Sequence, residues 1–392
     1  MSELLEQPVS VGAPAHGGHC MARIDGRAVF VRHALPGETV RLSVTEGGAD
    51  ARFWRADAVE ILEASPHRVP SVWPEAGPGG VGGGELAHVA LGAQRDWKHA
   101  VLTEAFARFA HRDFPGQVRP ATAEETGLGY RTRVSAIADG QGRAAMHVHR
   151  SETTATLHRM PLATPAVEQA LLDARLSPGT RFTVVEDAAG ATHVVAHGER
   201  GPQLVQPVTS AAGRVEHRLH ASGFWQVHRA APELLVDAVL ARVGAAQVVW
   251  DLYAGAGLFG VPLALQGRTL TLVEFDRRAT ADARATLTHH GLAARVHAAD
   301  VRRTLATADL GPRPDAVVLD PPRAGAGAAT IAALARHRPR RIVYVACDPV
   351  ALARDTQTLT DSGWVLAEAE AFDLFPMTHH VEAVATFELA DG

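Results

Sequence analysis

Cys347 closes the apolar run "RRIVYVAC" and is followed by Asp-Pro, a pair that ends a strand and opens a helix. The chain has one other cysteine, Cys20, so no disulfide framework or cysteine metal cluster is evident around it. Two readings stand: a small buried hydrophobe, or a thiol set at a strand tip to attack an electrophile. Glu382, in "FPMTHHVEAVATFEL", opens another strand-like stretch and is a candidate base. His379, His380 and Glu382 also form a conceivable metal set, but adjacent histidines on a strand face opposite ways, and the base is the better reading.

A second group of residues has the spacing of a nucleotide site. Gly255, Gly257 and Gly260 in "DLYAGAGLFG" follow an apolar strand and open a helix. Glu274 ends the next strand about twenty residues beyond. Such glycines permit a tight turn and close backbone approach, and the acid accepts hydrogen bonds from ribose hydroxyls. Asp251, just before the turn, could meet a cationic amino group and tilts the expectation from NAD to S-adenosylmethionine. Asp300, in "VHAAD", either reads an adenine amino group or caps a helix. Asp320, in "VVLDPPRAGAG", ends an apolar strand, and its two prolines stiffen a loop able to hold a flat base or a carboxylate.

The elements that must position these residues alternate regularly. From residue 223 onward, apolar strands such as "VVWDLYAG", "TLTLVEFD" and "DAVVLDPP" are separated by helical segments, the pattern of βαβ units and a largely parallel sheet. Ligands of such sheets lie beyond the carboxyl ends of the strands, where Cys347 falls. Residues 8–63 read as short strands with glycine-rich turns, hence a small β-barrel. Within it "HGGHC" offers His16, His19 and Cys20 but no second ligand pair, so it reads as a turn and not a metal site. A Pro- and Gly-dense passage joins this barrel to a helical stretch, and strands follow that carry Arg131, Arg133, Arg143 and Arg150. These arginines either track phosphates or form a solvated strand face. The expected segments are 1–63, 64–93, 94–126, 127–222 and 223–392.

Composition narrows the classes. With 392 residues, 46% of them hydrophobic, the chain can bury a substantial α/β core. A formal net charge of -5 means that a nucleic acid would be held by a local basic surface. Lys98 is the only lysine and sits in no P-loop or Schiff-base motif, which removes those enzyme classes. There is no signal-peptide pattern and no apolar run long enough to span a bilayer, so a cytoplasmic protein without membrane partners is expected.

Taken in order, "FWQVH", "DLYAGAG", "LVEFD", "VVLDPPRAG", "YVACDP" and "HHVEAV" resemble the RNA 5-methyluridine (uracil-C5) methyltransferases, and "GYRTRV" and "HRMPLATP" resemble pieces of their central domain. The likeness spans nearly the whole chain. It implies an α/β fold: a Rossmann-like class I methyltransferase domain, an N-terminal OB-like β-barrel of the TRAM type, and a small β-rich central domain that contacts RNA. By position it makes Cys347 the nucleophile and Glu382 the general base, and sets Gln226, Tyr253, Gly255, Gly257, Glu274, Asp300 and Asp320 around cofactor or target base. A thiolate adding at uracil carbon 6 makes carbon 5 nucleophilic towards a sulfonium methyl group; a base then removes the carbon 5 proton and the thiolate leaves.

The implied cofactor is S-adenosylmethionine, and the implied partner is structured RNA, ribosomal in preference to transfer RNA, met by a monomer. Many relatives also hold an iron–sulfur cluster on four cysteines. Here Val81, Gly84 and Met160 stand at three of those places and "SVWPEAG" supplies no thiol, so no cluster and no other metal is expected. Asp348 follows the cysteine where relatives often carry Asn, a charge that opposes thiolate formation. An NAD-dependent oxidoreductase and a catalytically inactive RNA-binding protein are the competing readings.

Overall fold

The computed structural model describes residues 3–48, 50–122 and 126–390; the extreme ends of the expected first and last segments, Ala49 and residues 123–125 lie outside it. Alternating apolar residues in the N-terminal strands face a single core built on Val29, Val31, Val40 and Leu42. Six strands form this sheet, and it curls on itself: Gly12 donates to Met21 O and Val11 to Glu38 O. The barrel core continues into Trp97 and Val101 of the Leu91–Phe109 helix, so the barrel is seated on the rest of the chain by shared apolar packing.

Residues 64–93 are loop-rich as expected, yet they are not a free linker. Trp73, Val81, Leu86 and Val89 are buried, and the segment is divided between two cores. Its Trp73, Ala76 and Val81 share a core with Met160, and a Cβ on Gly84 would lie 2.7 Å from the Ala76 Cβ, so the three positions that the resemblance matches to cluster cysteines border one apolar core. Iron–sulfur clusters are held by thiolates, and both cysteines of this chain lie elsewhere, Cys20 inside the barrel and Cys347 at a strand end. The residues present do not fit such a cluster; an indole-centred apolar core fills the place instead.

The central five-stranded antiparallel sheet covers one face with the Pro165–Asp173 helix through Val167 and Leu171. The following hairpin, Gln203–Ser210 with Gly213–His220, lies inside the expected 127–222 segment, but its Val208, Val215 and Leu219 pack into the core of the C-terminal sheet. That sheet has eight strands in the order Arg295–Ala298, Thr269–Glu274, Val248–Leu252, Ala316–Leu319, Arg341–Ala346, Glu382–Leu389, Trp364–Asp373 and Val118–Pro120. The first five are parallel, and the Glu382–Leu389 strand runs antiparallel between its neighbours. Chain order therefore reverses between Val248–Leu252 and Ala316–Leu319, which opens a crevice at their carboxyl ends. No helix among the described residues is long and apolar enough to cross a membrane.

Candidate active site

Beyond those strand ends lies a cavity of about 830 Å³ lined by Gln226, Tyr253, Gly255, Glu274, Asp320, Cys347 and Glu382. Seven candidates from separate parts of the sequence thus share one space. Its floor is the loop after Val248–Leu252, where Tyr253 at φ 63° and Gly255 at φ 54° turn the backbone sharply. A tyrosine in the left-handed region is strained by about 1–3 kcal/mol. A Cβ at Gly255 would meet nothing within 4 Å, so this glycine leaves open space above the turn. Glu274 braces the loop by accepting from Gly255 N at 3.0 Å and from Asp276 N at 2.7 Å, one bond per carboxylate oxygen.

Three candidates sit differently. Gly257 lies behind the cavity wall, its missing Cβ making room for Val261. Asp300 caps the Val301–Thr307 helix, accepting from Arg303 N at 2.8 Å, and does not line the cavity. Asp251 is fully buried beneath the glycine turn, beside Gly260, and its carboxyl is pushed well above the usual range by burial and by Asp320. Asp251 does not line the cavity, so the expected direct contact with a cationic ligand there has no exposed carboxylate to make it.

Sheet pairing brings the thiol and the proposed base together. Ala346 is opposite Ala383 in the antiparallel ladder, so the residues just beyond them, Cys347 and Glu382, are neighbours at the cavity wall. The Cys347 thiol is pushed up to about 12, first by burial and then by Glu382 and Asp320, with Arg323 opposing. Burial likewise raises Glu382 well above the carboxylate range, with Asp320 adding to it and Arg323 opposing. Asp320 is raised to about 7 by burial and by Glu274. Cys347 and Glu382 thus resist ionisation with the Arg323 guanidinium opposing, and Asp320 resists it beside Glu274.

The local sequence "DPPRAG" gives Arg323 no role, and only the fold makes it the cation acting on Cys347 and Glu382. The loop bearing it is tied down from below: Asp355 accepts from Ala326 N at 2.7 Å, Gly327 N at 3.2 Å and Tyr344 OH at 2.6 Å. Gly325, at φ 84°, has to be glycine here because a Cβ would lie 2.6 Å from the Asp355 carboxylate. His380 also lines the cavity and is held neutral, its pKa pushed down to about 3 by burial and by His379 and Arg323. The rings of His379 and His380 lie 4.0 Å apart, not on opposite faces, because both precede the strand. No group of metal-ligating side chains occurs among the described residues.

The turn before Glu382 is anchored by polar groups in the core. Lys98 and Asp373 form a fully buried ion pair, and Lys98 Nζ also donates to Phe375 O at 3.0 Å. Gln94 accepts from Met377 N at 2.7 Å and donates to Val89 O at 2.7 Å, clamping the turn to the segment below the barrel. Of the four candidates Arg131, Arg133, Arg143 and Arg150, Arg131 lines the cavity. Arg133 donates to Ala221 O and Gly223 O, while Arg143 pairs with Asp139 and Arg150 with Glu46. Three of the four thus bind protein groups. Two exposed phenylalanines, Phe224 at 72% and Phe275 at 74%, stand at the cavity instead.

Comparison with known proteins gives the same picture at three levels. The family model described as tRNA (Uracil-5-)-methyltransferase matches residues 302–388, a TRAM domain matches 5–58, and a methyltransferase small domain matches 226–337. An RNA methyltransferase of Bifidobacterium longum, itself uncharacterized, is 40% identical over 98% of this chain and 97% of its own. The 23S rRNA (uracil(1939)-C(5))-methyltransferase RlmD of Halomonas elongata is 31% identical over 96% of this chain and 88% of its own. Among solved structures, the Pyrococcus abyssi tRNA (uracil-54, C5)-methyltransferase, in complex with S-adenosyl-L-homocysteine, has the same fold. Its TM-score is 0.72 at 19% identity, covering 96% of this chain and 99% of that one.

Proposed function

Since this chain belongs to the RNA uracil-C5 methyltransferase family, we propose that it forms 5-methyluridine by covalent catalysis, with Cys347 as nucleophile and Glu382 as base. The observation that carries this reading is the meeting of Cys347 and Glu382, from antiparallel strands, at the wall of one cavity with Asp320 and Arg323.

The residues fit S-adenosylmethionine as methyl donor: the open space above Gly255, the Glu274 carboxylate and the exposed Phe275 ring suit an adenosine group. When bound, it supplies an electrophilic methyl group. Gln226, Phe224 and Arg323 line the same cavity and suit the target base: Phe224 offers a face for stacking, and Gln226 and Arg323 offer donors for uracil oxygens. Cys347 reacts as its thiolate, its proton released to solvent: Sγ adds to carbon 6 of the uracil, and the ring electrons move to carbon 5 and oxygen 4. After carbon 5 takes the methyl group, Glu382 removes its proton, and those electrons expel the thiolate and restore the ring. Once ionised, a carboxylate whose pKa burial has raised is a stronger base for that proton than an exposed one.

The substrate in this reading is ribosomal RNA, supported by the TRAM barrel and by the named function of the Halomonas relative; transfer RNA is the alternative. The competing NAD reading has no support beyond the glycine turn.

The test separates the two roles. Cys347→Ala should bind RNA yet transfer no methyl group, whereas Glu382→Gln should methylate and then accumulate a denaturant-resistant protein–RNA adduct. Normal turnover by Cys347→Ala, or wild-type product release by Glu382→Gln, would end the respective assignment. Mapping 5-methyluridine in ribosomal and transfer RNA from a deletion strain identifies the substrate.

A further inference from the structure

The "HGGHC" turn of the barrel lies against the nucleophile's own loop. His16 Nε2 is 2.9 Å from Asp348 Oδ2. Asp348 follows Cys347 and caps the Pro349–Asp361 helix, its Oδ1 accepting from Val350 N at 3.0 Å and Ala351 N at 2.8 Å. The turn is built to reach this place. Gly18, at φ 76°, packs so closely that a Cβ would lie 2.8 Å from the Glu85 Cβ and 3.3 Å from the His379 Cβ. His379 Nδ1 is itself 3.3 Å from Glu85 Oε2, and its ring meets the His16 ring edge-on at 6.2 Å. His16, Asp348, His379 and Glu85 thus form one polar cluster where barrel, connector and catalytic sheet meet.

We propose that His16 is a positioning residue for the reaction: by donating to Asp348 it makes the docked barrel part of the electrostatic environment of Cys347. The proposal rests on Cys347 being the nucleophile. A helix N-terminus favours a nearby thiolate, but here an ionised carboxylate takes up the free N–H groups and sets a negative charge beside the sulfur. An ionised carboxylate only accepts, so the 2.9 Å contact means that His16 donates. Its proton offsets the charge that Asp348 would otherwise present.

The other charged groups facing Cys347 are Glu382 and Asp320, which oppose the thiolate, and Arg323, which favours it. Burial would raise Asp348; the bonds from His16, Ala351 and Val350 hold it below the usual carboxylate range, so it stays charged at neutral pH. Facing His16 are Asp348 and the His379 ring, with Glu85 behind the latter. Barrel docking and thiol reactivity are thereby coupled through one hydrogen bond.

Alkylation by iodoacetamide tests this in the full-length protein without RNA, read by mass spectrometry on the Cys347 peptide across a pH series; buried Cys20 serves as internal control. The rising limb of the profile reports the thiolate fraction. His16→Ala should move it to higher pH by about half a unit to one unit, making alkylation roughly three- to tenfold slower at any pH on the rising limb. His16→Ala with Asp348→Asn, which keeps a helix cap but removes the charge, should restore the wild-type rate or exceed it. Loss of barrel docking alone would expose the sulfur and speed alkylation, the opposite sign. A His16→Ala profile that superimposes on wild type or moves to lower pH, or a delay that persists in the double variant, overturns the proposal. If alkylation behaves as expected but methyl transfer does not follow it, the nucleophile reading fails and the electrostatic coupling stands.

Discussion

At the scale of single residues, the cavity gathers acids that resist ionisation. Asp320 makes this measurable. Its carboxyl is raised to about 7 in the folded chain by burial and by Glu274, while an unfolded Asp titrates near 4. The folded state therefore keeps a proton that the unfolded state has lost. The resulting stabilisation is complete below about pH 4 and is lost as pH rises through 7. Asp320→Asn should flatten this decline, leaving the variant relatively more stable than wild type at pH 8 than at pH 4. Chemical denaturation at the two pH values checks it, and equal pH dependence would show that Asp320 is not raised.

At the scale of elements, the turn from Asp373 to Glu382 has to be held rigid, since it hands the last strand to the sheet with Glu382 at its first position. Lys98 does this from the Leu91–Phe109 helix, pairing with Asp373 and reaching Phe375 O. Both side chains are fully buried, so removing one leaves an uncompensated charge in the core. Lys98→Met should cost about 3–5 kcal/mol in denaturant unfolding. Adding Asp373→Leu should recover part of that loss, because it removes the orphaned carboxylate. A single variant as stable as wild type would mean that the pair is not holding the turn.

At the scale of the whole molecule, the connector and the central domain share one apolar core, at the positions that the resemblance matches to cluster cysteines. Trp73 is the centre of that packing, 1% exposed among Ala76, Val81 and Met160. Protein purified anaerobically should contain no stoichiometric iron or acid-labile sulfide and should still unfold cooperatively. Trp73→Ala should destabilise it by about 3–5 kcal/mol, the cost of emptying a large apolar site. About four irons per chain, or a Trp73→Ala variant of unchanged stability, would contradict this account of the core.

The candidate site residues that line the cavity were legible in the sequence because their signals are local. Glycines at a strand-to-helix turn, Asp-Pro-Pro after an apolar run and a cysteine before Asp-Pro each declare a strand end within a few residues. Regular alternation of strands and helices then implies a parallel sheet with all of those ends on one side. Which of them meet is a different matter. Cys347 and Glu382 become neighbours only because the last strand inserts antiparallel beside Arg341–Ala346. Asp251, by contrast, has the same local signature as Asp320 and ends in the core, since the inward side of the pleat is decided by packing. Arg323 gains its place from the charges of distant segments, and His16 reaches Asp348 only once the barrel is seated on the Leu91–Phe109 helix. Burial and charge proximity are sums over segments far apart in the chain, and no window of sequence contains them.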